Sequence, residues 1–473
     1  MNNDWNSALK QAKQALNIKI NDLLKAEEYS VAFKYALSNS KPTIDILSEL
    51  AKIIPANSHA EEAFKALRDC PKYRARILEI YRESKNSEAL APELLIYPQP
   101  VNSRKINTWT SGKFFHGIIC VDMHLFTNEF FAIAVDAFAS DSSAKGNIRF
   151  NVLGLKESWI NEKGCVTRAI LVDFEQLRLI ETEFLKPKKL DSVQFVSLGQ
   201  DEIKLHQSLS KRLECIQVNP FKHSTIADNK MSSYKLWNSR SIPIPETIPV
   251  DKINQSVLNF LEQHEESILK PNSGTGGHGA VFLRSAIELI QIWNRKKSID
   301  SKWILQARKD AVLFKRSKND RPQTLVIRLN VGGQVDSNLK VESGYAQIGR
   351  DRWNPASTYH DSRIISKQDL KGKTGYIQAG RWCPLELDEL FWAQSCTIAE
   401  KASSVYKNLL SGIDLIVDVN PDGRPTCLVL EGNARPSGLC RSLCIKNGKP
   451  RISSELWNSL YKLICFRKRN NLV

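Results

Sequence analysis

No apolar run in the 473-residue sequence approaches the about 18–20 residues that a bilayer-spanning helix needs. The longest, such as Phe114–Val121, have the length of a strand, and no membrane partner is expected. The ten cysteines contain no CxxC pair and no Cys/His cluster at zinc spacing. They read as reduced thiols, mostly core fillers, in a cytoplasmic protein. The opening MNNDWNSALKQAKQALN lacks the basic and apolar regions of a secretory signal and reads as an amphipathic helix. There is no GxxxxGK[ST] loop and no GxSxG elbow, so His116 and Asp122, at either end of the strand GIICVD, lack a nucleophile motif to serve. No internal repeat or low-complexity tract is visible.

Charge is present in excess. Lys and Arg number 67 against 51 Asp and Glu, a net charge of +16. That suits an anionic partner or a basic solvated surface. The basic residues are spread along the chain without interleaved aromatics, so nucleic acid is not the expected partner.

Ser411–Ser437 carries the densest signal. Two apolar strands meet at Asp422-Gly423, a strong hairpin pair because a type I′ turn needs positive φ at both central positions. Centred there, the turn sets Asp414 opposite Glu431. Alternation puts Ile416 and Asp418 on the face of Asp414, and Asn433 on the face of Glu431. Opposed carboxylates repel unless a cation lies between them, and hard oxygens suit Mg²⁺ already carried by phosphates. The alternative is a solvated acidic face. Asp418 competes with Asp414 as a ligand, and the turn favours Asp414.

In Ile268–Phe282, Lys270 ends a short strand and a glycine-rich loop follows: Gly274, Thr275, Gly276, Gly277, His278 and Gly279. Glycine lets backbone N–H groups wrap phosphate oxygens.

Together these segments resemble the ATP-grasp superfamily, with a motif layout close to that of D-alanine–D-alanine ligases and peptide ligases. That family has a lysine before a glycine-rich loop and, much later, an acidic residue and Glu-x-Asn on a hairpin. Two further segments fit. Asp228–Glu246 has Lys230 opening a helix before an IPIP turn. WILQARKD, Trp303–Asp310, is similar to the hinge strand that meets adenine, with Gln306 and Ala307 at the contact and Asp310 the nearest candidate for the ribose. The resemblance covers about Val218–Leu443.

It implies ATP held by Lys230, Lys270, the loop and the hinge, and Mg²⁺, with Mn²⁺ as alternative, on Asp414, Glu431 and Asn433. It implies Arg435, with Arg328 second, as catalytic arginines. The implied activity is an ATP-dependent carboxylate–amine ligase that passes through an acyl phosphate and releases ADP and phosphate. Its partners would be a small-molecule or peptide carboxylate and an amine acceptor. The alternatives are addition of amino acids to a protein tail, as in tubulin tyrosine ligase-like enzymes, and a non-catalytic ATP-binding scaffold.

The expected fold class is α/β and α+β, an ATP-grasp fold with a preceding α/β domain and an N-terminal helical region. The expected segments are helices over 1–85, a linker at 86–107, an α/β domain at 108–224, the two ATP-grasp subdomains at 225–460, and a basic tail at 461–473. Within the α/β domain, Phe131–Ala137 reads as a strand and Phe174–Phe184 as a helix.

Overall fold

The computed structural model describes residues 99–101, 113–121, 123, 127–142, 150–173, 178–196, 200–274, 277, 279–296, 302–334, 339–357, 362–444 and 452–470. The helices expected over 1–85 lie outside the described residues. The chain divides into two compact units, residues 1–99 with 172–180, and residues 100–171 with 181–473. The site lies in the second.

A seven-stranded sheet comes first along the chain. The strands are β1 (Gln99–Val101), β2 (Phe114–Ile119), β3 (Phe150–Leu155), β4 (Val166–Asp173), β5 (Arg178–Lys188), β6 (Ser192–Phe195) and β7 (Ile216–Gln217), in the order β1-β5-β4-β3-β2-β6-β7. The β2–β3, β2–β6 and β6–β7 pairs are parallel. Helix α1 (Thr127–Ser142) links β2 to β3, and α2 (Gln200–Arg212) links β6 to β7.

Two expectations fail here. Phe131–Ala137 is helical, within α1. Phe130, Phe131, Ile133, Ala134 and Ala137 are all buried, so the run has no polar face to reveal a helical period. Conversely Arg178–Lys188 is strand where a helix was expected over Phe174–Phe184. Leu179 and Ile180 are both buried, which breaks simple alternation, while Arg168 on β4 pairs with Glu181 on β5.

Helices α3 (Phe221–Ala227) and α4 (Lys230–Ser239) follow. Asn229 caps α4 by accepting from the Ser232 N–H at 2.9 Å. Next comes a four-stranded antiparallel sheet of β8 (Thr247–Val250), β9 (Ser267–Pro271), β10 (Val281–Leu283) and β11 (Trp303–Ala307), ordered β10-β9-β11-β8. Helices α5 (Gln255–Gln263) and α6 (Ala286–Lys296) pack on it through Val257, Phe260 and Leu289.

The larger sheet has the order β15-β14-β13-β18-β19: β13 (Leu325–Gly332), β14 (Lys340–Ile348), β15 (Arg363–Ile365), β18 (Leu410–Val419) and β19 (Pro425–Asn433), with β20 (Leu443–Cys444) also on β14. A small sheet of β12 (Leu313–Phe314), β16 (Thr374–Gln378) and β17 (Arg381–Pro384) stands apart, and the single turn α7 (Lys367–Leu370) precedes β16. Along β13 and β18 the odd-numbered residues Leu325, Ile327, Leu329, Ile413, Leu415 and Val417 face a core shared with Phe391, Trp392, Ala399 and Ala402 of α8 (Glu389–Ser404). Alternation therefore leaves Val326, Arg328, Asp414 and Ile416 on the other face.

The residues set apart as a basic tail are mostly helix. Helix α9 spans Ser454–Arg469, capped by Ser453, and buries Leu456, Trp457, Leu460 and Ile464. Trp457 packs edge-on to His116, with centroids 5.2 Å apart, and its indole N–H donates to Asp136 at 2.8 Å. Three basic residues close its last turn, where they suit the negative end of the helix dipole.

Candidate active site

The hairpin brings its carboxylates together by a route unlike the expected one. The turn is a three-residue loop, Pro421–Gly423, closed by the Asn420 N–H on the Arg424 carbonyl at 2.9 Å, with Gly423 at φ 81. Near the tip Val419 therefore pairs with Pro425, a register one residue away from that of a two-residue turn. A β-bulge at Leu430 restores it, so that Asp414 lies opposite Glu431 and Gly412 opposite Asn433. Two differences cancel, and the predicted pair stands. Asn433 Nδ2 donates to Asp414 at 3.3 Å, which orients the amide.

Arg328 is the cross-strand neighbour of Asp414 on the other side. Its guanidinium grips the carboxylate in a two-bonded fork, with Nη2 on Oδ2 at 2.8 Å and a second, shorter contact from Nε. Tyr345 lies under it, 5.9 Å from the ring centroid.

Of the two expected lysines, Lys230 reaches this hairpin directly and Lys270 lies within electrostatic range of its carboxylates. Lys230, first residue of α4, places Nζ 3.3 Å from Glu431 Oε1 and donates to the Gly274 carbonyl at 2.8 Å. Gly274 has φ 122, a region closed to side-chain-bearing residues. Lys270 is 7 % exposed, and burial, opposed by Glu431 and Asp414, pushes its pKa down to about 8. Glu431 is the counterpart. Burial alone would raise its pKa, but Lys230, Lys270 and Arg328 together hold it below the usual carboxylate range, so it is ionised at neutral pH. Gly277 and Gly279 also have positive φ, 75 and 77. Thr275, Gly276 and His278 lie outside the described residues.

The hinge is arranged otherwise than the resemblance implied. The Gln306 side chain is fully buried and turned toward Lys270. The Ala307 N–H is committed to the Glu246 carbonyl at 2.9 Å and that of Arg308 to Glu266 at 3.0 Å, so neither faces a nucleotide. Asp310 is bound in a salt bridge by Arg308, whose guanidinium also meets Glu266 at 2.9 Å.

Arg435 is likewise committed. Its guanidinium, 3 % exposed, pairs with Asp228 and approaches His206 Nδ1 at 3.3 Å. Asp418, beside the turn of the hairpin, accepts from its neighbour Val419 N–H at 2.9 Å and takes no part in the pair.

Tyr234 is the residue that sequence reasoning missed. It sits one turn after Lys230 on α4, and its hydroxyl touches Lys270, Gln306 and the Leu430 carbonyl. The signal was its i+4 spacing from a lysine already singled out.

Among the described residues no group of three His, Cys, Asp or Glu side chains gathers. Two carboxylates and an amide on adjacent strands are a sparse donor set. That suits Mg²⁺, which keeps several ligands from phosphate and water, better than a cation needing a full protein cage.

No protein-family model and no curated protein matches the chain. Solved structures similar to it include a D-alanine-D-alanine ligase from Coxiella burnetii, at 13 % identity over 76 % of this chain and 97 % of that one, TM-score 0.45. The VanG D-Ala:D-Ser ligase from Enterococcus faecalis is 13 % identical over 74 % and 99 %, TM-score 0.44. D-cycloserine synthetase DcsG is 13 % identical over 74 % and 99 %, TM-score 0.43. In its own layout, a lysine-bearing antiparallel sheet with a glycine loop lies beside a larger sheet whose hairpin carries Asp414, Glu431 and Asn433, the arrangement that the resemblance to ATP-grasp proteins implies.

Proposed function

We propose that the chain is an ATP-dependent carboxylate–amine ligase that activates its carboxylate as an acyl phosphate and releases ADP and phosphate. The observation that carries this reading is the meeting of Lys230, from the helix beside the glycine loop, with Glu431 on the hairpin, 3.3 Å apart. Phosphoryl transfer asks a protein for charge neutralisation and alignment more than for covalent chemistry. Lys230 and Lys270 place two ammonium groups where a triphosphate would lie against the hairpin. Lys230 would exchange Glu431 for phosphate oxygens as the nucleotide arrives, so the ion pair keeps both charges satisfied until then. Asp414, Glu431 and Asn433 would hold Mg²⁺, or Mn²⁺ in its place, which neutralises phosphate oxygens. Arg328, fixed by Asp414, supplies a guanidinium beside the same hairpin. It is the better placed of the two arginines to stabilise the negative tetrahedral intermediate formed when the amine attacks. Gly274–Gly279 would cover the phosphates and exclude water that would hydrolyse the acyl phosphate.

The test is nucleotide turnover with Mg²⁺ against pooled carboxylic acids and amines, with ADP and AMP resolved. ADP with phosphate is the expected product, and Glu431→Gln should abolish turnover while circular dichroism stays unchanged. AMP as the stoichiometric product, or a fully active Glu431→Gln enzyme, would overturn the reading.

A further inference from the structure

We propose that Tyr234 and Gln306 are positioning residues that aim Lys270 at the nucleotide phosphates and tie its direction to the carboxylate hairpin. The inference rests on the ligase reading for its ligand and on hydrogen-bond capacity for its argument. A tyrosine hydroxyl has one proton to give and two lone pairs. That of Tyr234 donates to the Leu430 carbonyl at 2.6 Å and accepts from Lys270 Nζ at 3.0 Å and from Gln306 Nε2 at 2.9 Å. Its capacity is full.

The Gln306 amide is equally constrained. Its oxygen accepts from Lys270 at 2.9 Å, and its nitrogen donates to Tyr234 and to Thr247 Oγ1 at 3.0 Å. Turning the amide over would set its NH₂ against the ammonium, so one orientation alone satisfies every member. Lys270 has three N–H groups and a flexible stem. Two of the three are fixed by Tyr234 and Gln306, which leaves one to point at a phosphate oxygen.

The third partner of the Tyr234 hydroxyl explains the bulge. Leu430 is the extra residue of β19, with no cross-strand partner on β18, so its carbonyl is released from the ladder for Tyr234. The next residue is Glu431. One hydroxyl thus joins the phosphate lysine on β9 to the peptide preceding the metal-side carboxylate, while Lys230, one turn earlier on α4, touches that carboxylate directly. Deleting Leu430 would keep Asp414 opposite Glu431 while removing this acceptor and the Leu430 side chain packed on the Val326–Ile416 cluster.

The experiment is calorimetric titration of the full chain with Mg²⁺-ATP and, separately, with adenosine, which lacks phosphates. Tyr234→Phe keeps the ring in the core and removes the hub. It should weaken ATP binding about tenfold, the effect of one well-placed hydrogen bond, and leave adenosine binding within about twofold of wild type. Lys270→Met should weaken ATP in the same sense, and the double variant should bind no more weakly than Lys270→Met alone, because Tyr234 acts through Lys270. Gln306→Met, which leaves the tyrosine ring untouched, should repeat the ATP-specific loss. Additive losses, or equal loss of ATP and adenosine, would overturn the proposal, and so would unchanged ATP binding by both Tyr234→Phe and Gln306→Met. A wild-type chain that binds no ATP would remove the ligase reading along with it.

Discussion

Arg328 and Arg435 carry the same charge in opposite settings, and sequence distance could not tell them apart. Arg435 lies two residues from Asn433, which made it the first choice for the reacting phosphate. Yet a strand's end turns its side chains away from the ladder, and here the turn carries Arg435 to Asp228 and His206. Arg328 lies 86 residues before Asp414 and still becomes its neighbour, because β13 and β18 pair antiparallel. Arg435→Ala should therefore cost about 3 kcal/mol of folding stability, the scale for stranding one partner of a mostly buried ion pair, and leave ATP affinity unchanged. Urea denaturation beside calorimetric titration separates the two, and a large loss of turnover with no loss of stability would restore Arg435 as a catalytic residue.

Among elements, the hairpin was legible in part. Alternation and an Asp-Gly signal placed Asp414 against Glu431. The loop length could not be read, because Asp-Gly suits a three-residue loop with glycine at positive φ as well as a two-residue turn, and the bulge at Leu430 could not, because its carbonyl is taken by a tertiary partner, Tyr234. The apolar run of α1 was misread because periodicity reports a boundary between core and water, and Phe130–Ala134 is buried throughout. Strand β5 is buried over Leu179–Thr182 and mostly exposed beyond, so neither half shows the alternation that marks a strand. Gly423, at φ 81 with nothing within 4 Å of an added Cβ, isolates the turn's contribution. Gly423→Ala should lose about 1–2 kcal/mol from left-handed strain alone, with ATP binding intact, since the bulge between turn and site absorbs the change. Thermal melts and titration would show it, and a variant that melts normally but no longer binds ATP would contradict this insulation.

At the scale of the whole molecule, the α/β domain and the larger sheet are held together by buried acids. Asp136 on α1 accepts from the Ile452 and Ser453 N–H groups and from Trp457, and Glu129 accepts from Gly438 and Leu439. Burial pushes Asp136 up to about 6, so its contribution to stability grows as pH falls from 6 toward 3.8. His116 beside it runs the other way. Buried against Trp457 and bonded to Ser192 at 2.8 Å, it is held by desolvation at about 3, against 6.5 in a free chain. Its share of stability is complete above pH 6.5 and lost as pH falls toward 3, by about 3 kcal/mol at about pH 4.5. His116→Gln should remove that loss, so the drop in stability between about pH 7.5 and 4.5 should shrink by about 3 kcal/mol relative to wild type. Denaturation curves at the two pH values would test it, and an unchanged drop would mean that His116 takes up its proton without unfolding.

Helix α9 has a temporal consequence. It supplies Trp457 and Tyr461 to the pocket formed by Phe114, His116 and Phe150, which are made far earlier in the chain. A ribosome delivers that pocket's walls long before its plug. Until α9 emerges, Phe114, His116 and Phe150 lack the rings that cover them, so this aromatic surface is open to aggregation through most of synthesis.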